Sequence, residues 1–144
     1  AAPRQTGGCL CGAVRFAGSG PPIVVAHCHC DDCRRGSGAG HSTGAMFAAA
    51  DVAVAGRLAE YELESGQGTR VTRAFCPTCG SPIMGRNDGM PGYVTLPLGC
   101  FDDASAFVPE VVVYARGRQP WDHMDDTLPN FATQPAWSPD KAGG

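Results

Sequence analysis

The sequence has few charged residues and no long apolar run. Charged residues make up 17% of its 144 residues and hydrophobic residues 43%, a balance typical of globular proteins. The longest weakly polar stretch, residues 44–56, is interrupted by Asp51 and falls short of the roughly 18 apolar residues that a membrane span needs. A net charge of −3 leaves no basic surplus for phosphate backbones. The composition therefore argues against both a membrane and a nucleic acid as partner.

Long amphipathic helical patterns are also missing, because 20 glycines and 12 prolines interrupt the chain throughout. A turn of helix is expected near residues 35–38, and residues 48–54 fit strand and loop equally well. Short runs with strand character dominate instead. These runs are residues 14–16, 23–26, 59–63, 71–75, 93–98 and 111–115. The pattern predicts a mostly β fold of short strands that ends in an irregular C-terminal tail.

No repeat or linker divides the sequence, so we expect a single domain over residues 1–144 with a core at about residues 5–138. Residues 1–8 read as a polar lead-in and residues 141–144 as a frayed tail. The residues expected to pack the irregular tail onto the body are Trp121, Leu128, Phe131 and Trp137. No basic and apolar leader precedes the first cysteine, which favours a cytoplasmic protein.

Eight cysteines in a chain of this length require an explanation. A secreted protein would use them as disulfides, whereas a cytoplasmic one would use them for metal binding or catalysis. Seven of them form tight groups, namely Cys9 with Cys11, Cys28 with Cys30 and Cys33, and Cys76 with Cys79, whereas Cys100 stands alone. Disulfides usually join cysteines that are far apart in sequence, so groups this tight favour reduced thiols that bind zinc.

The first and last groups predict a closed structural zinc site. Cys76 and Cys79 lie in the segment FCPTCGSPI, whose spacing is typical of a zinc knuckle and in which Gly80 permits a tight turn. A redox dithiol would need a helix directly afterwards, which GSPI does not favour. Cys9 and Cys11 offer a second pair, because side chains at i and i+2 of an extended strand share a face. Four such thiols can contribute much of the folding free energy of a small β domain.

The middle group predicts a second zinc site of another kind. Cys28, Cys30 and Cys33 lie in HCHCDDCRRGSG, and three protein ligands with one open position are the pattern of catalytic zinc. Arg34 and Arg35 follow directly and would offset the charge of three thiolates or bind an anionic substrate. Because only three thiols hold this second ion, partial loss on handling is expected.

The alternative for the middle group is a second structural site that a fourth protein ligand closes. The candidates for that ligand are Cys100, His27, His29 and His41. Alternation along an extended segment turns His27 and His29 away from the cysteines, which leaves His41 and Cys100.

Several segments of the chain resemble the glutathione-dependent formaldehyde-activating enzyme family, in the order found there and over nearly the whole length. The matching segments are GGCLCGAVRF, CHCDDCRRGSG, TRAFCPTCGSPI, GCFDDASAFVPE and PWDHMDDTLPNF. The resemblance implies a zinc-bound, mostly β fold of the β-tent type. It also implies a structural zinc on Cys9, Cys11, Cys76 and Cys79 and a second zinc on Cys28, Cys30 and Cys33. The chain departs from the family pattern at His41, where an apolar or aromatic residue is usual, and at Cys100, where a small polar residue is usual.

The type member of this family is a carbon–sulfur lyase that joins glutathione and formaldehyde into S-hydroxymethylglutathione. The leading hypothesis is therefore a lyase that adds a thiol such as glutathione to a small aldehyde at the middle cysteines, with Arg34 or Arg35 binding a substrate carboxylate. A second hypothesis is an enzyme whose zinc-bound water acts on a non-thiol substrate, with His41 as proton-transfer group. A third is a non-catalytic module with two structural zinc ions that binds a partner protein, which a fourth ligand such as Cys100 would favour.

Overall fold

A computed structural model describes residues 4–135 and residue 137 of the chain. Its single α-helix in that part of the chain, α1, spans Asp31–Ser37. The strands are β1 (Arg4–Gly8), β2 (Arg15–Ser19), β3 (Val24–Cys28), β4 (Ser42–Ala48), β5 (Val52–Ala55), β6 (Ala59–Glu64), β7 (Arg70–Phe75), β8 (Pro82–Asn87), β9 (Tyr93–Pro97) and β10 (Val111–Val113). The prediction of a mostly β fold built from short strands is confirmed. None of the described helices has the length and apolar character needed to cross a bilayer.

The strands form two sheets. The smaller sheet has the order β1-β2-β5, and the larger one has the order β10-β3-β4-β9-β8-β7-β6. Neighbouring strands are antiparallel except for β10, which lies parallel to β3 with Val112 beside His27. This topology brings the chain segments that follow β3 and β10 to the same edge region of the larger sheet.

Each of the six predicted runs overlaps an observed strand, but three strands were not expected. The expected lead-in contains β1, whose five residues pair with β2 from Arg4 opposite Ser19 to Gly8 opposite Arg15. The glycine-rich segment after the middle cysteines runs into β4, and β8 begins at a proline. The helix also starts earlier than residues 35–38, at Asp31 inside the cysteine group.

Backbone hydrogen bonds attach the tail to the larger sheet, and two of the aromatic side chains expected to pack it onto the body are largely exposed. Trp121 is 64% exposed and Phe131 is 40% exposed. The Val112 N–H donates to the Pro129 carbonyl, and the Phe131 N–H donates to the Val112 carbonyl, both at 2.9 Å. Trp137 lines the large cavity described below. Residues 141–144, expected to be frayed, lie outside the described part of the chain, and so does residue 138 at the expected core boundary.

One apolar core joins the two sheets. Phe101 follows the 3-10 turn Leu98–Cys100, and its ring centroid lies 5.1 Å from that of Phe16 on β2 and 6.4 Å from that of Phe47 on β4. Phe107 adds a third ring at 4.4 Å. The same core includes the buried side chains of Cys9 and Cys76. The first cysteine group is therefore anchored where the two sheets meet.

Candidate metal centres and their cavity

Four thiols from two hairpin turns meet at the junction of the sheets. Cys9 and Cys11 lie in the turn from β1 to β2, and Cys76 and Cys79 lie in the turn from β7 to β8. All four sulfurs are within 4.8 Å of one another, with 3.6 Å between Cys9 and Cys11 and 3.8 Å between Cys11 and Cys76. Sulfurs around a tetrahedral zinc ion lie about 3.8 Å apart, given zinc–sulfur bonds of about 2.3 Å. The donor set therefore fits zinc.

The local conformation of Cys9 and Cys11 differs from the expected extended strand. The Gly12 N–H donates to the Cys9 carbonyl at 3.2 Å and closes a turn around both cysteines. The Val14 N–H donates to Cys9 Sγ at 3.2 Å, a contact that stabilises negative charge on the sulfur. The turn, and not strand alternation, brings the two sulfurs together.

The knuckle of Cys76 and Cys79 is closed by backbone hydrogen bonds. Gly80 has a φ of +79°, and its N–H donates to the Cys76 carbonyl at 2.8 Å. Ser81 Oγ lies 3.3 Å from Cys79 Sγ. This hydrogen bond is the largest of several effects that together lower the pKa of the Cys79 thiol to about 5. A metal ligand must be deprotonated, so this environment favours metal binding.

Cys100 lies near this first group and not near the middle one. Its Sγ donates to the Pro82 carbonyl at 3.1 Å. Burial raises the pKa of the Cys100 thiol, and the charges of Cys9 and Cys79 raise it further. The structure thus leaves Cys100 out of the middle group, because the turn after β9 carries it to the opposite cysteine cluster.

The three middle cysteines converge at the start of the helix. Cys28 ends β3, Cys30 is the N-cap of α1, and the Cys33 N–H donates to Cys30 Sγ at 3.3 Å. The three sulfurs lie within 4.8 Å of one another. Over residues 4–135 and 137, no histidine, cysteine or carboxylate adds a fourth ligand atom to this group. Three converging donors with an open side fit the pattern of a catalytic zinc site.

The middle group is built to hold negative charge on one sulfur. Hydrogen bonds with the Cys28 and Cys30 thiols lower the pKa of Cys33, and the charge of Arg73 contributes to the same shift. The same thiol contacts raise the pKa of Cys28. Arg73 Nη2 lies 3.8 Å from Cys33 Sγ. A metal cation bound in this group would take the place of the thiol protons and would contact all three sulfurs.

A cavity of about 1520 Å³ opens beside the middle group. All three cysteines line it, together with Arg73, Tyr114 and other residues of the larger sheet. Cavities for drug-sized ligands measure about 300–1000 Å³. The cavity therefore has room for a ligand as large as a short peptide.

The arginines that line this cavity are not the two that the sequence favoured. Arg34 and Arg35 both pair with Asp31, at 2.5 Å and 3.1 Å, and neither lines the cavity. Arg73 and Arg116 do line it, and no carboxylate of the described chain lies within ion-pair distance of either. The sequence did not single out Arg73. Strand alternation places it on the face of β7 opposite the buried Thr72 and Ala74, but alternation alone does not show that this face lines a cavity.

Tyr114 is a second lining residue that the sequence did not reveal. It directly follows β10, and its φ of 53° is the only positive φ of a non-glycine residue in the described ranges. Such backbone strain at a residue whose side chain lines a cavity often marks a functional site. Burial raises the pKa of the Tyr114 hydroxyl, as do the charges of Cys28 and Cys30. The hydroxyl therefore keeps its proton at neutral pH and can donate a hydrogen bond.

The histidines near the middle group form a separate cluster with Asp122. His41 Nδ1 lies 2.7 Å from Asp122 Oδ2, and His29 Nδ1 lies 3.3 Å from the same oxygen. His27 Nδ1 instead contacts Thr43 Oγ1 at 2.7 Å. As alternation predicts, His27 and His29 are not part of the sulfur group, and His41 is left out of it as well. Asp122 was missed because it lies in the irregular tail, where no periodicity indicates its neighbours.

These features define a mostly β protein with two thiol groups suited to metal and a large cavity beside one of them. The profile of the glutathione-dependent formaldehyde-activating enzyme family matches residues 4–117, so the chain belongs to that family. The chain is similar to a Rhodobacter sphaeroides protein of known crystal structure, with a TM-score of 0.57 and 23% identity over 72% of this chain and 97% of that one. At this identity the similarity shows the fold alone. No curated protein sequence matches the chain significantly.

Proposed function

We propose that the protein is a carbon–sulfur lyase that adds the thiol of glutathione, or of a similar peptide thiol, to formaldehyde or another small aldehyde. The observation that carries this proposal is the three-thiol group of Cys28, Cys30 and Cys33 on the wall of a cavity of about 1520 Å³, with no fourth protein ligand among the described residues. Membership of the family supports this pair of substrates.

Two zinc ions would serve this function. The four thiols Cys9, Cys11, Cys76 and Cys79 would hold a structural ion, and Cys28, Cys30 and Cys33 would hold the second. Zinc supplies two effects when bound, namely stabilisation of a deprotonated thiol and polarisation of a carbonyl oxygen. Cysteines that bind metal must stay reduced, which supports a cytoplasmic location.

Arg73 and Arg116 are the residues that we assign to the carboxylates of the thiol substrate. Both line the cavity, and a guanidinium binds a carboxylate through two parallel hydrogen bonds. Arg73 also lies 3.8 Å from Cys33 Sγ, so a carboxylate bound there holds the rest of the substrate close to the three sulfurs. Fixing the thiol in this way converts a random encounter with the aldehyde into a positioned one.

The addition forms one bond between the substrate sulfur and the aldehyde carbon. The carbonyl π bond breaks, its electron pair moves to oxygen, and the proton that left the thiol is returned to that oxygen as the hydroxyl hydrogen. Tyr114 supports this step by donating a hydrogen bond to the oxygen as charge develops there. Its raised pKa keeps the phenol protonated for this role.

The chain that carries this site is proposed to be a single domain over residues 1–144 with its core at about residues 5–138. The shared core of the two sheets supports this division, because Phe16 of the smaller sheet and Phe47 of the larger sheet both pack on Phe101.

A formaldehyde-consumption assay tests the proposal. The zinc-loaded protein is expected to accelerate glutathione-dependent loss of formaldehyde above the spontaneous rate. Cys30→Ser should abolish the acceleration, because it removes one donor of the three-thiol group. Cys100→Ser serves as the matched control and should retain it. Acceleration that is absent in the wild type, or that survives in Cys30→Ser, contradicts the proposal.

A further inference from the structure

The cluster of His29, His41 and Asp122 is built from three separate parts of the chain. His29 directly follows β3, His41 directly precedes β4, and Asp122 lies in the irregular segment after β10. One ligand atom from each of the three side chains lies within 4.8 Å of the others. Neither thiol group contributes an atom to this cluster, so whatever it binds is bound independently of the cysteines.

Only one of the two histidines in the cluster makes a hydrogen bond of normal geometry to Asp122. His29 Nδ1 lies 3.3 Å from Asp122 Oδ2, yet neither ring nitrogen of His29 makes a hydrogen bond of normal geometry, and the Gly40 carbonyl interacts with the ring only as a neighbour. Nitrogen and oxygen donors on a tetrahedral zinc ion, with bonds of about 2.0–2.2 Å, lie about 3.3 Å apart. His41 Nδ1 is closer to the same oxygen, at 2.7 Å, and needs only a small displacement to reach that spacing.

The burial of His29 makes its missing partner informative. Its side chain is 0% exposed, and that of Asp122 is 10% exposed. Buried polar atoms in native proteins almost always have a partner, and each exception calls for an explanation such as an ion. A neutral imidazole is also the most common metal ligand in proteins. A cation between these side chains would give His29 Nδ1 its partner and would balance the buried carboxylate.

The surrounding chain is shaped to let the carboxylate approach. A Cβ atom at Gly40 would lie 2.7 Å from Asp122 Cγ, so only glycine allows the loop before β4 to pass this closely. Arg118 Nε donates to the Asp122 backbone carbonyl at 2.7 Å and orients the residue. His41 is 21% exposed and leaves a path for an ion from solvent.

We propose that His29, His41 and Asp122 form a third metal site, which binds a divalent transition-metal ion of the zinc type. Two imidazoles and one carboxylate are a donor set that zinc and its neighbours in the first transition row accept. Binding joins the segment around Asp122 to the residue that follows β3 and the residue that precedes β4. The site thus fastens the tail next to the strand that carries Cys28.

Cobalt binding to the zinc-loaded protein tests this site. The full chain is loaded with zinc under reducing conditions, treated with a chelator to clear weakly held metal, and titrated with Co²⁺, and the sulfur-to-cobalt charge-transfer band reports any cobalt that refills the three-thiol group. The wild type is expected to bind one further equivalent whose absorption lacks this band. Asp122→Asn and His41→Gln should each weaken this binding at least about tenfold. His123→Gln is the matched control, since His123 is an exposed neighbour outside the cluster, and it should bind like the wild type.

Two results would overturn the third site. One is a wild type that gains no cobalt absorption free of the thiolate band. The other is unchanged binding in both Asp122→Asn and His41→Gln. Should Asp122→Asn fail to fold, His41→Gln decides the outcome, because the His41 side chain is partly exposed and glutamine keeps its polar character.

Discussion

At the scale of single residues, Arg73 is the side chain that links the cavity to the three sulfurs. Arg73→Gln removes the guanidinium but keeps a polar side chain of similar reach. A hydrogen bond to a charged group contributes about 1.5–3 kcal/mol, so the variant is expected to lose about 10- to 100-fold in kcat/KM for glutathione. Steady-state kinetics of formaldehyde consumption measures the change.

The matched control for Arg73 lies on the same strand. Arg70 pairs with Glu62 at 2.8 Å and does not line the cavity, so Arg70→Gln should leave kcat/KM close to that of the wild type. Equal losses in both variants would mean that Arg73 acts through the stability of β7 and not through the substrate.

Tyr114 is expected to act on the rate of the chemical step and not on binding. Tyr114→Phe keeps the ring in the cavity and removes only the hydroxyl donor. Loss of one donor to a developing oxyanion costs about 100- to 1000-fold in well-studied enzymes, so a fall in kcat of at least about tenfold is expected, with little change in KM. An unchanged kcat would rule out the hydroxyl as a hydrogen-bond donor to the developing oxyanion.

The cysteines could be assigned to groups from the sequence, but their cavity neighbours could not. Ligand spacing is local, so the grouping of Cys76 with Cys79 is visible in the chain itself. Arg73 and Asp122 reach their sites through strand pairing and through the path of the tail. These long-range relations leave no periodic pattern in the sequence.

At the scale of elements, the hairpin turns do most of the positioning. The sequence indicated β7 and β9 because their apolar and β-branched residues alternate. The same reasoning did not indicate β1, because its residues RQTGG have weak strand propensity. They form a strand by pairing with β2. The turn of Cys9 and Cys11 was misjudged for the same reason, because the end of β1 was not recognised.

The contact between the two sheets depends on one aromatic side chain. Phe101→Ala removes a buried ring that packs on Phe16, Phe47 and Phe107, and truncation of a buried phenylalanine costs about 3–5 kcal/mol. The free energy of unfolding, measured by denaturant titration of the zinc-loaded protein, should fall by about that amount. Phe131→Ala, at a ring that is 40% exposed, should cost clearly less. Similar losses in the two variants would contradict the central position given to Phe101.

At the scale of the whole molecule, the four thiols lie where the two sheets meet, and a zinc ion bound there would link the sheets. Structural zinc sites contribute about 10–16 kcal/mol of apparent binding free energy, which is as much as a small domain's whole stability. Cys79→Ser is therefore expected to lose one zinc ion per chain and to unfold at a much lower temperature. Metal analysis together with thermal denaturation measures both effects.

Cys100→Ser is the control for this link, because Cys100 contacts the Pro82 carbonyl and is not one of the four grouped thiols. It should keep the zinc content and nearly the melting temperature of the wild type. A loss of zinc in Cys100→Ser equal to that in Cys79→Ser would contradict the assignment of the four zinc ligands.

The claim on which the proposed function depends is that the three-thiol group takes a substrate thiol. Titration of the cobalt-substituted protein with glutathione tests it most directly, because sulfur-to-cobalt charge-transfer absorption reports each added thiolate. The wild type is predicted to gain such absorption in a saturable way, and Cys30→Ser is predicted not to. A spectrum of the wild type that glutathione leaves unchanged would contradict the claim.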